Sequence, residues 1–157
     1  GIQSTIIYLT IYLVMNLGVF GCIFMMKREN IFYENINDLS GLSKNHPMLA
    51  LSFLIILFSL AGIPPLAGFF AKFYVFMAVI EVKMYALAII GLLTTVVSAF
   101  YYLRIIKVIY FDKPSKPFDE SYDWGLKGSL ILSSILILIY FIYPSLLTSV
   151  VYSIIIY

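Results

Sequence analysis

Long apolar stretches alternate with short polar ones along this chain, and their lengths predict the elements. A crossing of about 30 Å of hydrocarbon takes roughly 20 apolar residues. Four stretches meet that length, at about 3–26, 47–82, 84–111 and 129–157. Within residues 27–46, Phe32, Ile36, Leu39 and Leu42 recur at helical spacing among Glu34, Asn35, Asp38 and Ser40, which predicts a short helix lying in the membrane interface. Residues 112–127 carry Pro114, Pro117, Asp112, Asp119, Glu120 and Asp123 and read as a solvated loop. The expected fold is all-α and integral to a membrane, one domain over residues 1–157, with four transmembrane segments and no internal repeat. Pro144 should kink the fourth.

The second stretch is interrupted. Pro64 and Pro65 remove two backbone donors and fix two φ angles, so a helix entering at Met48 is discontinuous, with its break near 64–68. The block is too long for one straight span and short for two, and charge counting decides between them. A single crossing puts Lys27, Arg28, Lys44, Arg104, Lys107, Lys113, Lys116 and Lys127 on one face and leaves Lys83 on the other. Two crossings would divide the basic residues almost evenly. The positive-inside tendency selects the single crossing. Both termini then lie on the outer side, both polar loops face inward, and Lys72 lies near mid-depth.

Composition agrees and narrows the chemistry. Hydrophobic residues make up 62% of the chain and charged ones 11%, against roughly 25% charged in soluble domains; the mean hydropathy is +1.02. A net charge of +2, with the basic residues scattered, argues against a nucleic-acid partner. With one cysteine, Cys22, and one histidine, His46, the chain can form neither an intrachain disulfide nor an all-protein tetrahedral metal site. The start, Gly1-Ile2-Gln3, has no methionine and no basic region before an apolar core. A removed leader, or one piece of a longer protein, accounts for it.

Lys72 is the principal candidate for chemistry. Backbone freed at membrane depth survives where protein or water covers it, and an intramembrane cation by default marks an ion or proton pathway. A second half-helix starting near Phe69 puts Lys72 in its first turn, where unpaired N–H groups and a shell of Phe69, Phe70, Phe73 and Phe76 disfavour the ammonium. Carbonyls freed near Ala61 to Ile63 favour it. A lysine poised between these influences can exchange its proton when a neighbouring charge changes. Structural pairing with a carboxylate is the bland alternative, while Lys83 and Lys107 read as snorkelling to the interface. Tyr8, Tyr12 and Asn16 share one side of the first span, lining a water path or packing polar groups between helices. His46, before Pro47, caps or anchors the second block and is also placed to hand over protons at the inner face. Glu81 and Lys83 read as a surface pair.

Three runs carry a resemblance: Asp38 to Pro47 (DLSGLSKNHP), Ser59 to Tyr74 (SLAGIPPLAGFFAKFY) and Ser98 to Arg104 (SAFYYLR). Together they resemble the C-terminal part of subunit 2 of proton-pumping NADH:ubiquinone oxidoreductase, respiratory complex I, over nearly the whole chain. The resemblance implies that the break belongs to a discontinuous helix in the second of two inverted repeats. Lys72 would then be a protonation site towards the outer half-channel, with Gly62, Pro64, Pro65 and Gly68 shaping the break. It implies an enzyme subunit with no redox chemistry of its own, coupled to NADH oxidation and quinone reduction. Flavin, iron-sulfur clusters and quinone would sit on other subunits of the respiratory chain, and no cofactor on this one. Family members have more helices, of which this chain matches the last four. The missing part is expected as a separate polypeptide from a split gene, packed against this chain beside other complex I membrane subunits and lipid. Heavy use of Ile, Phe, Tyr, Asn and Lys fits an AT-rich organellar genome and hence the mitochondrial inner membrane, with the long loops on the matrix side. A subunit of a multi-chain sodium/proton antiporter and a non-catalytic membrane assembly subunit remain as alternatives.

Overall fold

The computed structural model describes residues 2–120, 123–145, 149–150 and 153. Helix α1 (Ile2–Phe24) is followed by a two-stranded hairpin, β1 (Lys27–Arg28) and β2 (Ile31–Phe32), a 3-10 turn at Ile36–Leu39, and the short α2 (Leu42–Asn45). Then come α3 (Pro47–Ala61), α4 (Ala67–Glu81), α5 (Tyr85–Phe111) and α6 (Trp124–Ile142). Of these, α1 and α5 are by themselves long and apolar enough to cross a membrane.

Helix α1 lies against α3, α4 and α6, and α5 against α3 and α4. Its buried positions, Ile7, Ile11, Met15, Gly18 and Cys22, recur every three or four residues and form one inward stripe. Leu9, Leu13, Leu17, Phe20 and Phe24 face outward, as a lipid-facing side requires. Ile56 of α3 and Ile137 of α6 are among the most deeply buried side chains beneath that stripe.

Each helix end has a local cause. Pro47 opens α3 at a first-turn position, where its missing N–H costs nothing. Gly62 closes it with φ +80°. The Gly62 N–H returns to the Ser59 carbonyl at 3.0 Å and the Ile63 N–H to the Phe58 carbonyl at 3.1 Å, the paired bonds of a Schellman stop. Asp123 caps α6, its Oδ1 accepting from the N–H groups of Gly125 (2.9 Å) and Leu126 (3.3 Å). That cap starts the last helix at Trp124, ahead of the expected Ser129. The expected kink at Pro144 is a stop: α6 ends at Ile142, the Tyr143 N–H closes on the Ile139 carbonyl at 2.8 Å, and helical backbone resumes at Pro144. Residues 146–148, 151–152 and 154–157 of the fourth predicted stretch lie outside the described residues.

The first polar segment differs from expectation. In place of one interfacial helix, Glu29 and Asn30 take left-handed φ values of 52° and 62° and turn the chain into the hairpin. Spacings of three and four fit a 3-10 turn and a single α-turn as well as a helix, and the stripe divides. Leu39 and Leu42 are buried while Phe32 and Ile36 are exposed. The segment after α5 is the expected loop, with most of its residues exposed, and it is also docked at a few points. The Ser115 N–H donates to the Ser40 carbonyl at 2.9 Å, Asn45 Nδ2 to the Ser115 carbonyl at 2.8 Å, and the Asp119 N–H to the Lys27 carbonyl at 2.7 Å. The Arg28 guanidinium lies 4.7 Å from the Tyr33 ring centre and 4.6 Å from that of Phe118, and Nη2 reaches Ser115 Oγ at 3.1 Å. Lys107 pairs with Asp112 at 2.7 Å. Glu81 and Lys83 form no such pair; Lys83 instead takes φ +60° in the turn between α4 and α5.

Candidate functional site

The α3–α4 junction builds the site. Residues 62–66 separate the two helices, and the Pro64–Pro65 bond is cis. Leu66 is extended, and α4 begins at Ala67, two residues before the expected start. Lys72 therefore lies in the second turn of α4 rather than the first. Gly68 presses on the end of α3. A Cβ added there would overlap the Ser59 carbonyl oxygen, so only glycine permits the approach. The Gly68 N–H donates to Ser59 Oγ at 2.9 Å, and that hydroxyl donates to Met15 Sδ of α1 at 3.0 Å.

With the helix ends so joined, Lys72 Nζ donates to the Leu60 carbonyl at 2.8 Å. This oxygen belongs to the last turn of α3, where carbonyls lack helical partners. It lies one residue before the Ala61 to Ile63 range that the sequence indicates. Gly62 backs the lysine: a Cβ there would lie 3.3 Å from Lys72 Cδ and 3.4 Å from Nζ.

A cavity of about 210 Å³ opens beside the amine, ample for water molecules. Tyr8 and Tyr12 line it from α1; Thr94, Thr95, Ser98 and Tyr102 line it from α5. Thr95 Oγ1 donates to the Gly91 carbonyl at 3.0 Å and Ser98 Oγ to the Thr94 carbonyl at 2.9 Å, so their oxygens keep lone pairs for a guest. Among the described residues no carboxylate lines the cavity, and the amine is not locked in a salt bridge.

The expected phenylalanine shell is absent from this lining. Phe69 packs on Phe70 and Phe73 with ring centres 5.5 and 6.0 Å apart, and Phe70 on Tyr140 of α6 at 5.7 Å. Helical rotation carries Phe70 and Phe73 away from the lysine, and Phe76 packs one turn further on, where Gly91 of α5 makes room.

Of the other candidates, Tyr8 and Tyr12 join Lys72 at this cavity, whereas Asn16 and His46 do not. Asn16 Nδ2 donates to the Tyr12 carbonyl at 2.8 Å and lines a second cavity of about 410 Å³, which shares Tyr12, Leu60 and Tyr102 with the first and extends to Glu34. His46 lies in a third cavity, with Phe118, Asp119 and Lys127, that shares no lining residue with the lysine's. Its backbone starts α3, and its ring stacks 6.3 Å from Phe118, in keeping with an anchor. Thr94, Thr95, Ser98 and Tyr102 were not singled out by sequence as site residues. The legible signal was a run of hydroxyls at one-face spacing in an otherwise apolar helix.

The arrangement can hold a proton on an amine, pass it to ordered water, and take it back, with the Leu60 carbonyl as a fixed partner of the charged form. A family model described as NADH:quinone oxidoreductase/Mrp antiporter, transmembrane, matches residues 1–98. NADH-quinone oxidoreductase subunit N of Pelagibacter ubique is 66% identical over 151 residues, covering 96% of this chain and 32% of that protein. The subunit of that name from Parvibaculum lavamentivorans is 52% identical, covering 92% and 30%. A chain in the structure of respiratory complex I from Thermus thermophilus with bound Aureothin superposes with a TM-score of 0.80 at 27% identity, covering 94% of this chain and 34% of that one. The chain thus spans about a third of the length of the curated relatives it matches.

Proposed function

The chain belongs to the NADH:quinone oxidoreductase/Mrp antiporter transmembrane family, and on that premise we propose that it supplies part of a proton pathway in a proton-translocating NADH:quinone oxidoreductase, with Lys72 as the group that carries the proton. The observation that supports this most directly is an amine with one carbonyl acceptor, no carboxylate partner among the described residues, and a hydroxyl-lined cavity beside it. In the charged state the ammonium donates to the Leu60 carbonyl. A change in neighbouring charge drives the proton to water in the cavity, and the neutral amine later recovers one. Moving a charge across the membrane costs roughly 2.3 kcal/mol per 100 mV, which electron transfer on other subunits would supply. Flavin, iron-sulfur clusters and quinone belong to those subunits in this reading.

Four crossings fit the same reading: α1, α3 with α4 as one discontinuous span, α5, and α6 with the residues after it. Gly62, Pro64, Pro65 and Gly68 then shape the gap in the second. Partners are the other membrane subunits of such a complex and the remainder of the subunit, in the same polypeptide or another. The relatives reported above are bacterial and give no support to an organellar membrane, so we place the chain in an energy-coupling membrane with both polar loops on its inner side.

Lys72→Ala and Lys72→Arg test the assignment in membranes carrying the assembled enzyme. Both should lower proton translocation at least about tenfold, about 1.4 kcal/mol in the barrier, with the complex still assembled. Arginine keeps the charge but cannot release its proton at working pH. Undiminished pumping by Lys72→Ala would leave this chain an assembly subunit. The family description also names Mrp antiporters, and transport that requires sodium would favour the sodium/proton antiporter alternative.

A further inference from the structure

Ser59 occupies a position that the proposed proton carrier depends on without touching it. Its side chain is fully buried. Helix α4 has no cap from its own sequence: Leu66, at the N-cap, offers no side-chain acceptor. One of the N–H groups orphaned at that end, Gly68's, is satisfied by Ser59 Oγ at 2.9 Å, from the last turn of a different helix. The same hydroxyl donates to Met15 Sδ at 3.0 Å, so a single oxygen joins α1, α3 and α4. The Ser59 carbonyl closes α3 through Gly62, and the next carbonyl, Leu60's, is the one Lys72 holds at 2.8 Å. From Gly68 to Lys72 is about one helical turn. The clamp on Gly68 therefore sets where the amine stands relative to Leu60.

We propose that Ser59 is a positioning residue that, by capping α4 from α3, sets how tightly Lys72 holds its proton. The proposal rests on the reading of Lys72 as proton carrier. The titratable groups facing the amine are Tyr8 and Tyr12 of α1 and Tyr102 of α5, and among the described residues no carboxylate or second cation lines the cavity. No stronger charge is there to mask a displaced Leu60 carbonyl.

The test uses the assembled enzyme in membranes and records the pH profile of proton translocation. Ser59→Ala removes the acceptor; Ser59→Cys keeps the size but leaves a weak one. Each should displace the profile by roughly one pH unit toward acid, a tenfold change in proton retention, Cys less than Ala, because the ammonium loses part of its carbonyl partner. Ser52→Ala removes an α3 hydroxyl that bonds, among the described residues, within its own helix to the Met48 carbonyl, and should leave the profile in place. Should the alanine variant fail to assemble, the cysteine variant decides. A wild-type profile in the assembled Ser59 variants overturns the proposal, as does a lower yield of enzyme with an unmoved profile, which would make Ser59 merely structural. Lys72→Ala, assayed alongside, separates the two ideas. Lost pumping there with unmoved Ser59 profiles defeats only the positioning role, whereas undiminished pumping defeats the reading beneath it.

Discussion

At the scale of single residues, the site depends on where backbone meets backbone. Gly68 is the clearest case, because the neighbour its Cβ would meet is the Ser59 main chain, which cannot swing aside as a flexible side chain could. Gly68→Ala should force α3 and α4 apart at a cost of at least about 3 kcal/mol, read as a lower thermal midpoint of the detergent-solubilised complex. The same substitution at Gly128 of α6, where a Cβ would meet nothing within 4 Å, should not lower the midpoint, since alanine is the better helix former. Lys72 was legible from sequence as an isolated cation beside two prolines. The Leu60 carbonyl was not, because an acceptor of that kind is supplied by main chain, and any residue type could provide it.

At the scale of elements, apolar length was a good guide and polar periodicity a poor one. The break after Ala61 follows from Gly62 and the two prolines and could be placed to within a few residues. The segment from Lys27 to Asn45 could not, since its hairpin, 3-10 turn and short helix hold their places through α3, α5 and the segment after α5. Arg28 is central there: its guanidinium stacks between Tyr33 and Phe118 and donates to Ser115 Oγ at 3.1 Å. Arg28→Ala should cost about 1–3 kcal/mol and release residues 112–120. Limited proteolysis of membranes should then cut within that segment at a protease dose that spares the wild type.

At the scale of the whole molecule, the outward faces of α1 and α5 are apolar. Leu93, Val96, Val97 and Phe100 of α5 are exposed here, as a helix set in lipid or against a neighbouring chain would have them. Helices α3 and α4, at 15 residues each, reach about 22 Å apiece at 1.5 Å per residue. Each falls short of a 30 Å core, which supports the proposal that they cross together. The topology so proposed can be measured. Cysteines placed by Lys44→Cys and Lys83→Cys, which flank the α3–α4 block, should react with an impermeant maleimide from opposite sides of the membrane. Labelling from one side alone would mean that the α3–α4 block crosses twice. Cys22 is fully buried and should contribute little background.

The amino-acid order by itself determined the membrane class, the apolar segments, the interruption at Pro64 and Pro65, and the prominence of Lys72. These follow from hydrocarbon thickness, from the lost donors of proline and from the cost of burying charge, all of which act locally along the chain. Only the tertiary structure decided that Tyr8, Tyr12, Thr94, Thr95, Ser98 and Tyr102 meet around the amine, that no phenylalanine of α4 lines that cavity, and that His46 belongs to another. Those outcomes depend on how the helices rotate and approach one another, and that is settled by close contacts such as Gly68 on Ser59, between residues whose spacing in the chain carries no sign of their meeting.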